Sequence, residues 1–283
     1  MTTSLSSLFR TLGVLVPISL LAMGTTVRAT TMPSTAFFYG SAMPAASLSK
    51  FDRIVVEAAN VQDLSALRAR GAKVFAYVSV GEAEGWRDST RALPSSFFLG
   101  SNPDWQSRVA DLTLPGWKKF LLDDRMASLW AQGYRAFFLD TLDSYQRYAT
   151  TPDAQAVQTR ALVDIIRSMH QRFPGVELLF NRGFELLPEV APLSVGIVAE
   201  SLFQSWNPAL QEYVEVSPPD REWLLARLNE ARDRYGLPVT VIDYVAPTQG
   251  ALAQETARRI ATLGFVPWVA NPGLDVVFTG DAP

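Results

Sequence analysis

A chain of 283 residues, 48% of them apolar, is long enough for one large α/β domain with a sizeable core. A formal charge of -3 without any Lys/Arg cluster argues against a nucleic-acid surface. The lack of cysteine excludes disulfides, thiolate metal sites and cysteine nucleophiles.

The chain opens on a stretch with the features of an export signal. Arg10 precedes an apolar segment over 12–23, and Val27-Arg28-Ala29 has the small-residue spacing of a cleavage site. Gly13 and Pro17 interrupt that segment, which is too short for a membrane span. The reading is a signal peptide over 1–29, a mature terminus near Thr30 and a periplasmic or secreted protein. No membrane anchor remains once the signal is cleaved. A single domain is expected over 30–283.

Apolar runs then alternate with helical patterns. Strands are predicted over 36–39, 53–57, 73–80, 136–140, 177–181, 195–200, 239–244 and 265–270. The fourth, Ala136-Phe137-Phe138-Leu139-Asp140, is apolar without a polar break, which suits burial on both faces of a parallel sheet. It ends abruptly on acids. Helices are predicted over 61–70, 116–132, 153–173, 221–235 and 251–263. In the third, Pro152 sits near the start, and Val157, Ala161, Leu162, Ile165, Met169 and Phe173 form one stripe. Eight strands alternating with helices point to an α/β fold, a (β/α)8 TIM-type barrel. One or two outer helices are expected to be missing or reduced, because a short Pro/Ala/Ser segment follows the first strand and only 271–283 follows the eighth. An open doubly wound sheet competes, but it has neither a dinucleotide fingerprint nor a P-loop in its favour.

Two connections are long, 81–115 and 201–220. The first carries Trp86, Phe97, Phe98 and Trp105, the second Phe203, Trp206 and Tyr213. Aromatics on loops at a barrel mouth stack on sugar rings or pack the loops down. The strand ends carry Tyr39, Glu57, Glu82 with Glu84, Asp140 with Asp143, Asn181 with Arg182, Glu200, Asp243 with Tyr244, and Asn271. So many acids on one face are costly unless they are used. Some have a structural alternative, since Glu57 or Asp243 can pair with Arg87 or Arg182. The single histidine, His170, falls late in a helix that runs back from this face and is read as structural, which disfavours a Ser-His-Asp triad or a His-based zinc site. No cofactor or metal is expected, although the oxygen ligands leave a carboxylate-bound Mg²⁺ or Ca²⁺ open. Paired-carboxylate chemistry of the kind that cleaves glycosidic bonds remains.

The stretches Tyr77-Val78-Ser79-Val80-Gly81-Glu82-Ala83-Glu84-Gly85-Trp86-Arg87 and Phe138-Leu139-Asp140-Thr141-Leu142-Asp143-Ser144-Tyr145 resemble the endo-α-1,4-polygalactosaminidase superfamily. Within it, Asn181-Arg182-Gly183-Phe184-Glu185 and Ala199-Glu200-Ser201 look like the hydrolase domains of Pel-type exopolysaccharide systems. The resemblance implies a barrel glycosidase cutting partially deacetylated α-1,4-linked N-acetylgalactosamine polymers, with Asp140 and Glu200 as the essential acids. On a barrel these two can face each other across a scissile bond. Asp140 is then expected to be the ionised nucleophile and Glu200 the protonated acid, about 5–5.5 Å apart for a retaining reaction. Asp143 is the alternative nucleophile, and Glu82 or Glu84 the alternative acid. The expected substrate-binding set is Tyr39, Glu57, Glu82, Glu84, Trp86, Arg87, Asp143, Tyr145, Asn181, Arg182, Trp206, Asp243, Tyr244 and Asn271, and the expected partner is a polysaccharide. The rivals are a catalytically silent carbohydrate-binding barrel of a synthesis or secretion complex, and a glycosidase for another α-linked glycan.

Overall fold

The structure, a computed structural model, describes residues 32–85 and 88–278. The expected signal peptide, Trp86 and Arg87 lie outside the described residues. Eight parallel strands are hydrogen-bonded in chain order: β1 (Thr35–Phe38), β2 (Arg53–Val56), β3 (Lys73–Ser79), β4 (Ala136–Asp140), β5 (Glu177–Asn181), β6 (Ser194–Glu200), β7 (Val239–Tyr244) and β8 (Val266–Ala270). Three of them match the sequence expectation at both ends, four differ by one residue at one end, and β1 is shifted by one residue at both.

The sheet curls into a nearly closed (β/α)8 barrel. Phe37 of β1 packs edge-on against Phe138 of β4, with centroids 5.4 Å apart, and lies 6.5 Å from Trp268 of β8. Residues from the first, middle and last strands therefore share one interior. The Tyr39 N–H donates to the Leu274 carbonyl at 2.7 Å, joining the chain after β1 to the chain after β8. Side chains alternate across the sheet. Phe138 faces the interior, while Phe137 turns outward to Phe173, 6.5 Å away, at the end of a covering helix.

Four covering helices are well developed: α1 (115–131), α2 (Pro152–Arg172), α3 (Pro218–Tyr235) and α4 (Gly250–Thr262). The middle of α1, Phe120–Met126, is widened into π-helix. At the start of α2, the Thr151 hydroxyl accepts from Ala154 N at 3.2 Å beside Pro152, which satisfies an otherwise open helix end. Val157 of the expected stripe is 44% exposed, and buried Gln158 takes its place, accepting from Leu112 N and donating to Asp111. The other connections shrink to single turns at Ala45–Leu48, Leu64–Leu67 and Leu187–Val190, and nothing helical follows β8 among the described residues. The reduction thus exceeds the one or two helices expected. The 61–70 pattern contracts because Asp63 caps Ser65 N and Ala66 N, and Gly71, at φ 87°, ends the segment.

Both long connections carry sheets of their own. After β3, strands Glu82–Glu84, Ser107–Ala110 and Phe98–Asn102 form an antiparallel sheet, with Ser107–Ala110 in the centre. After β6, Gln204–Asn207 and Glu212–Glu215 form a hairpin. Both leave from the strand ends that carry the acids. No helix among the described residues is long and apolar enough to cross a membrane.

Candidate active site

Asp140, Asn181 and Glu200 are the last residues of β4, β5 and β6. Adjacent parallel strands bring them side by side. The Asn181 Nδ2 donates to Asp140 Oδ1 at 2.7 Å and to Glu200 Oε1 at 2.9 Å. Carboxylate oxygens can only accept, so the amide presents its nitrogen to both. Sharing one nitrogen holds these two oxygens no farther apart than the sum of 2.7 and 2.9 Å. The outer oxygens are held by phenols: Tyr77 donates to Asp140 Oδ2 at 2.9 Å, and Tyr244 to Glu200 Oε2 at 2.5 Å. Burial holds both hydroxyls well above the usual phenol range, so they stay protonated donors.

Burial, reinforced by the neighbouring Glu200 charge, raises the Asp140 carboxyl to about 7. Hydrogen bonds from Asn181, the Thr141 backbone and Tyr77 pull the other way and are outweighed. Asp140 was expected to be ionised beside Thr141 and Asp143; burial next to Glu200 instead holds one proton on the pair up to about neutral pH. Asp143 is raised too, chiefly by burial; Arg182 opposes this, and Glu185 and Glu200 add to it.

The residues after the three strand ends share an unusual backbone. Thr141, Arg182 and Ser201 have φ of 62°, 52° and 68°, uncommon for side chains with a Cβ and frequent at functional sites. Each is tied down. Thr141 Oγ1 accepts from Gly81 N at 2.8 Å and donates to the Asp140 carbonyl at 2.6 Å. Gly81 is required there, because a Cβ would come within 2.1 Å of the Thr141 carbonyl oxygen. Arg182 Nη2 donates to the Glu200 carbonyl at 3.1 Å, and Ser201 N to the Ile242 carbonyl at 2.8 Å.

Four expected binding residues are engaged by partners of their own. Glu82, 5% exposed, is enclosed in the insertion sheet by Asn102 Nδ2 at 3.0 Å and by the Ser107 hydroxyl, which also removes it as an alternative acid. Asp243 is fully buried and accepts from the backbone N–H groups of Leu202, Phe203 and Gln204 at 2.6, 2.8 and 2.9 Å. It faces outward from β7 while its neighbour Tyr244 faces in, as strand alternation requires. Tyr145 is 2% exposed and bonds Thr159 of α2 at 2.8 Å. Asn271 closes a local turn with Asp275 at 2.7 Å.

The others lie nearer the pair or on the loops. Tyr39 packs edge-on against Tyr77 at 5.5 Å, and the Glu84 charge bears on the Tyr77 hydroxyl. Glu57 caps Ala59 N at 3.4 Å, and its charge bears on Tyr134. Trp206 pairs across the hairpin with Tyr213 at 4.9 Å. In the other loop, Phe98 packs on Trp117 beneath Arg108, while Trp105 stays 62% exposed. Tyr77 was not expected as a site residue: it lies two positions before the end of β3, whereas only residues at or after strand ends were considered. Register with β4 pairs Ser79 with Asp140, so the same face includes Tyr77. His170 bonds the Leu193 carbonyl at 3.0 Å, just before β6 and thus at the opposite barrel face. Among the described residues, no group of three or more His, Asp or Glu side chains is placed to hold a metal.

The sequence model of glycoside-hydrolase family GH114 matches residues 26–281. The glycoside hydrolase domain of PelA from Pseudomonas aeruginosa superposes with a TM-score of 0.78 at 38% identity, over 87% of this chain and 98% of that one. Aspergillus fumigatus Ega3, solved in complex with galactosamine, shares the fold with a TM-score of 0.60 at 15% identity, over 89% of this chain and 98% of that one. A Deinococcus radiodurans protein is 25% identical over 215 residues, 73% of this chain and 67% of that relative's length. With acids at the C-terminal strand ends of a barrel and a family match over almost its whole length, the chain belongs to glycoside-hydrolase family GH114 and is a glycoside hydrolase.

Proposed function

We propose that the chain is an endo-acting hydrolase of α-1,4-linked, galactosamine-containing polysaccharide that works with retention through Asp140 and Glu200. The observation that carries this reading is the single Asn181 nitrogen shared by both carboxylates at 2.7 and 2.9 Å. Two oxygens bound that closely support the ~5–5.5 Å spacing of retaining enzymes over the ~6.5–9.5 Å of inverting pairs. In the first step Glu200 gives its proton to the glycosidic oxygen while Asp140 attacks the anomeric carbon, forming a glycosyl ester and releasing the leaving chain. Glu200 then takes a proton from water, which attacks the same carbon and frees Asp140. The reactive pair carries one proton. Mutual repulsion and burial keep that proton bound up to about neutral pH, consistent with the raised Asp140 carboxyl.

The substrate class rests on the motifs around Tyr77 and Asp140, and the charge of the mouth supports it. With Glu82 and Asp243 engaged elsewhere, Glu84, Asp140, Asp143 and Glu200 stand against Arg182 among the described residues proposed for the mouth. That balance favours a polymer with free amines. Reducing-end release from deacetylated α-1,4-galactosamine polymer tests the reading. The wild-type chain should cleave internally, and Asp140→Asn and Glu200→Gln should each fold yet lose about 10²–10⁴-fold in kcat. No release by the wild type removes the substrate, and near-normal turnover in either variant removes the assigned carboxylates.

A further inference from the structure

Beside the catalytic pair lies a groove of about 420 Å³, between the 204–215 hairpin and the first turn of α3. Its size falls within the ~300–1,000 Å³ of ligand clefts. Arg182 and Ser201, the neighbours of Asn181 and Glu200, are part of its lining, so the groove adjoins the proposed catalytic residues. Glu215, Asp220, Trp223 and Leu224 are among the other lining residues.

The chemistry of this lining is specific. Trp223 is 47% exposed, steadied edge-on by Phe184 at 6.2 Å, and approached by Arg227 only to 6.0 Å. Such a ring offers an apolar face to the C–H face of a sugar. Asp220 accepts from the Ser217 hydroxyl at 2.6 Å and pairs with no Lys or Arg among the described residues. Glu215 has one long contact, to Arg221 at 3.5 Å. The cation in the lining, Arg182, is engaged elsewhere, by the Glu200 carbonyl and opposite Asp143. Two exposed carboxylates beside a half-open indole suit a sugar ring that carries an ammonium group.

We propose that this groove is a subsite for amino-sugar units flanking the cleaved bond, with Trp223 as the stacking platform and Asp220 and Glu215 as the ammonium acceptors. The assignment rests on the substrate class proposed above and adds which side chains read it. Calorimetric titration of a galactosamine octasaccharide tests it in the Asp140→Asn chain, which holds the sugar without cutting it. Adding Trp223→Ala should weaken binding about ten-fold, in line with single aromatic stacking contacts. Adding Asp220→Asn with Glu215→Gln should weaken it several-fold at low salt, and the difference should vanish at high salt. These carboxylates are exposed, so the double change carries the test if the Trp223 variant fails to fold. Unchanged affinity in both, or no binding at all, overturns the subsite. Cleavage of the same octasaccharide by the wild-type chain is scored separately. Cleavage with unchanged variant affinity removes only the subsite, and altered affinity without cleavage removes only the hydrolytic reading.

Discussion

At the scale of single residues, the proposed mechanism turns on Asn181. Its one nitrogen fixes the distance between two acids that would otherwise repel, and its hydrogen bond partly lowers the Asp140 carboxyl. Asn181→Ala should therefore reduce kcat by about 10²-fold through misplacement of the pair. It should also move the alkaline limb of the pH–rate profile to higher pH, because a stabilising donor to the charged form is lost. A variant with wild-type kcat and an unmoved limb would leave Asn181 with no positioning role. The placement of Asp140 and Glu200 at strand ends was legible in the sequence, because each ends an apolar run. Which member of an adjacent pair faced inward was not considered, although alternation could have separated Asp243 from Tyr244.

Among elements, the β6 connection shows how the scaffold steadies the chemistry. Asp243 on β7 gathers three consecutive N–H groups directly after Glu200 and Ser201, so a buried charge on the outer face anchors the loop that leads into the hairpin. Asp243→Asn keeps the shape but turns one acceptor into a donor facing N–H groups. It should cost about 1–3 kcal/mol of stability and lower kcat through the loosened Glu200. Urea unfolding and steady-state kinetics measure both, and wild-type values in each would contradict the anchor. The barrel strands could be read from sequence because two-face burial leaves unbroken apolar runs, as in Phe137-Phe138-Leu139. The insertion strands could not, because pieces as short as Glu82–Glu84 and Ser107–Ala110 mix polar and apolar residues, and only their partners define them. The π-helical middle of α1 has no periodic signature either.

For the whole molecule, the site is built at a cost in stability. Asp140 and Asp243 titrate at about 7 and about 6 in the folded chain, above their ordinary 3.8. Folded protein therefore holds protons that the unfolded chain has already released. The stability these groups contribute is complete below ~4 and is lost as pH rises through their folded values. Asp140→Asn removes one of them. Its stability should exceed that of the wild type by a margin that grows from pH 4 to pH 7.5 and reaches the order of a few kcal/mol. Melting curves across that range would show it, and parallel curves would contradict it.

The central claim is that two carboxylates held by one amide cleave with retention. Proton NMR of the first products from an α-linked galactosamine oligosaccharide decides it. Retention predicts that the α-anomer of the new reducing end appears first, and the β-anomer only later by mutarotation. A β-anomer formed first would mean inversion, and the Asp140–Glu200 mechanism would be wrong.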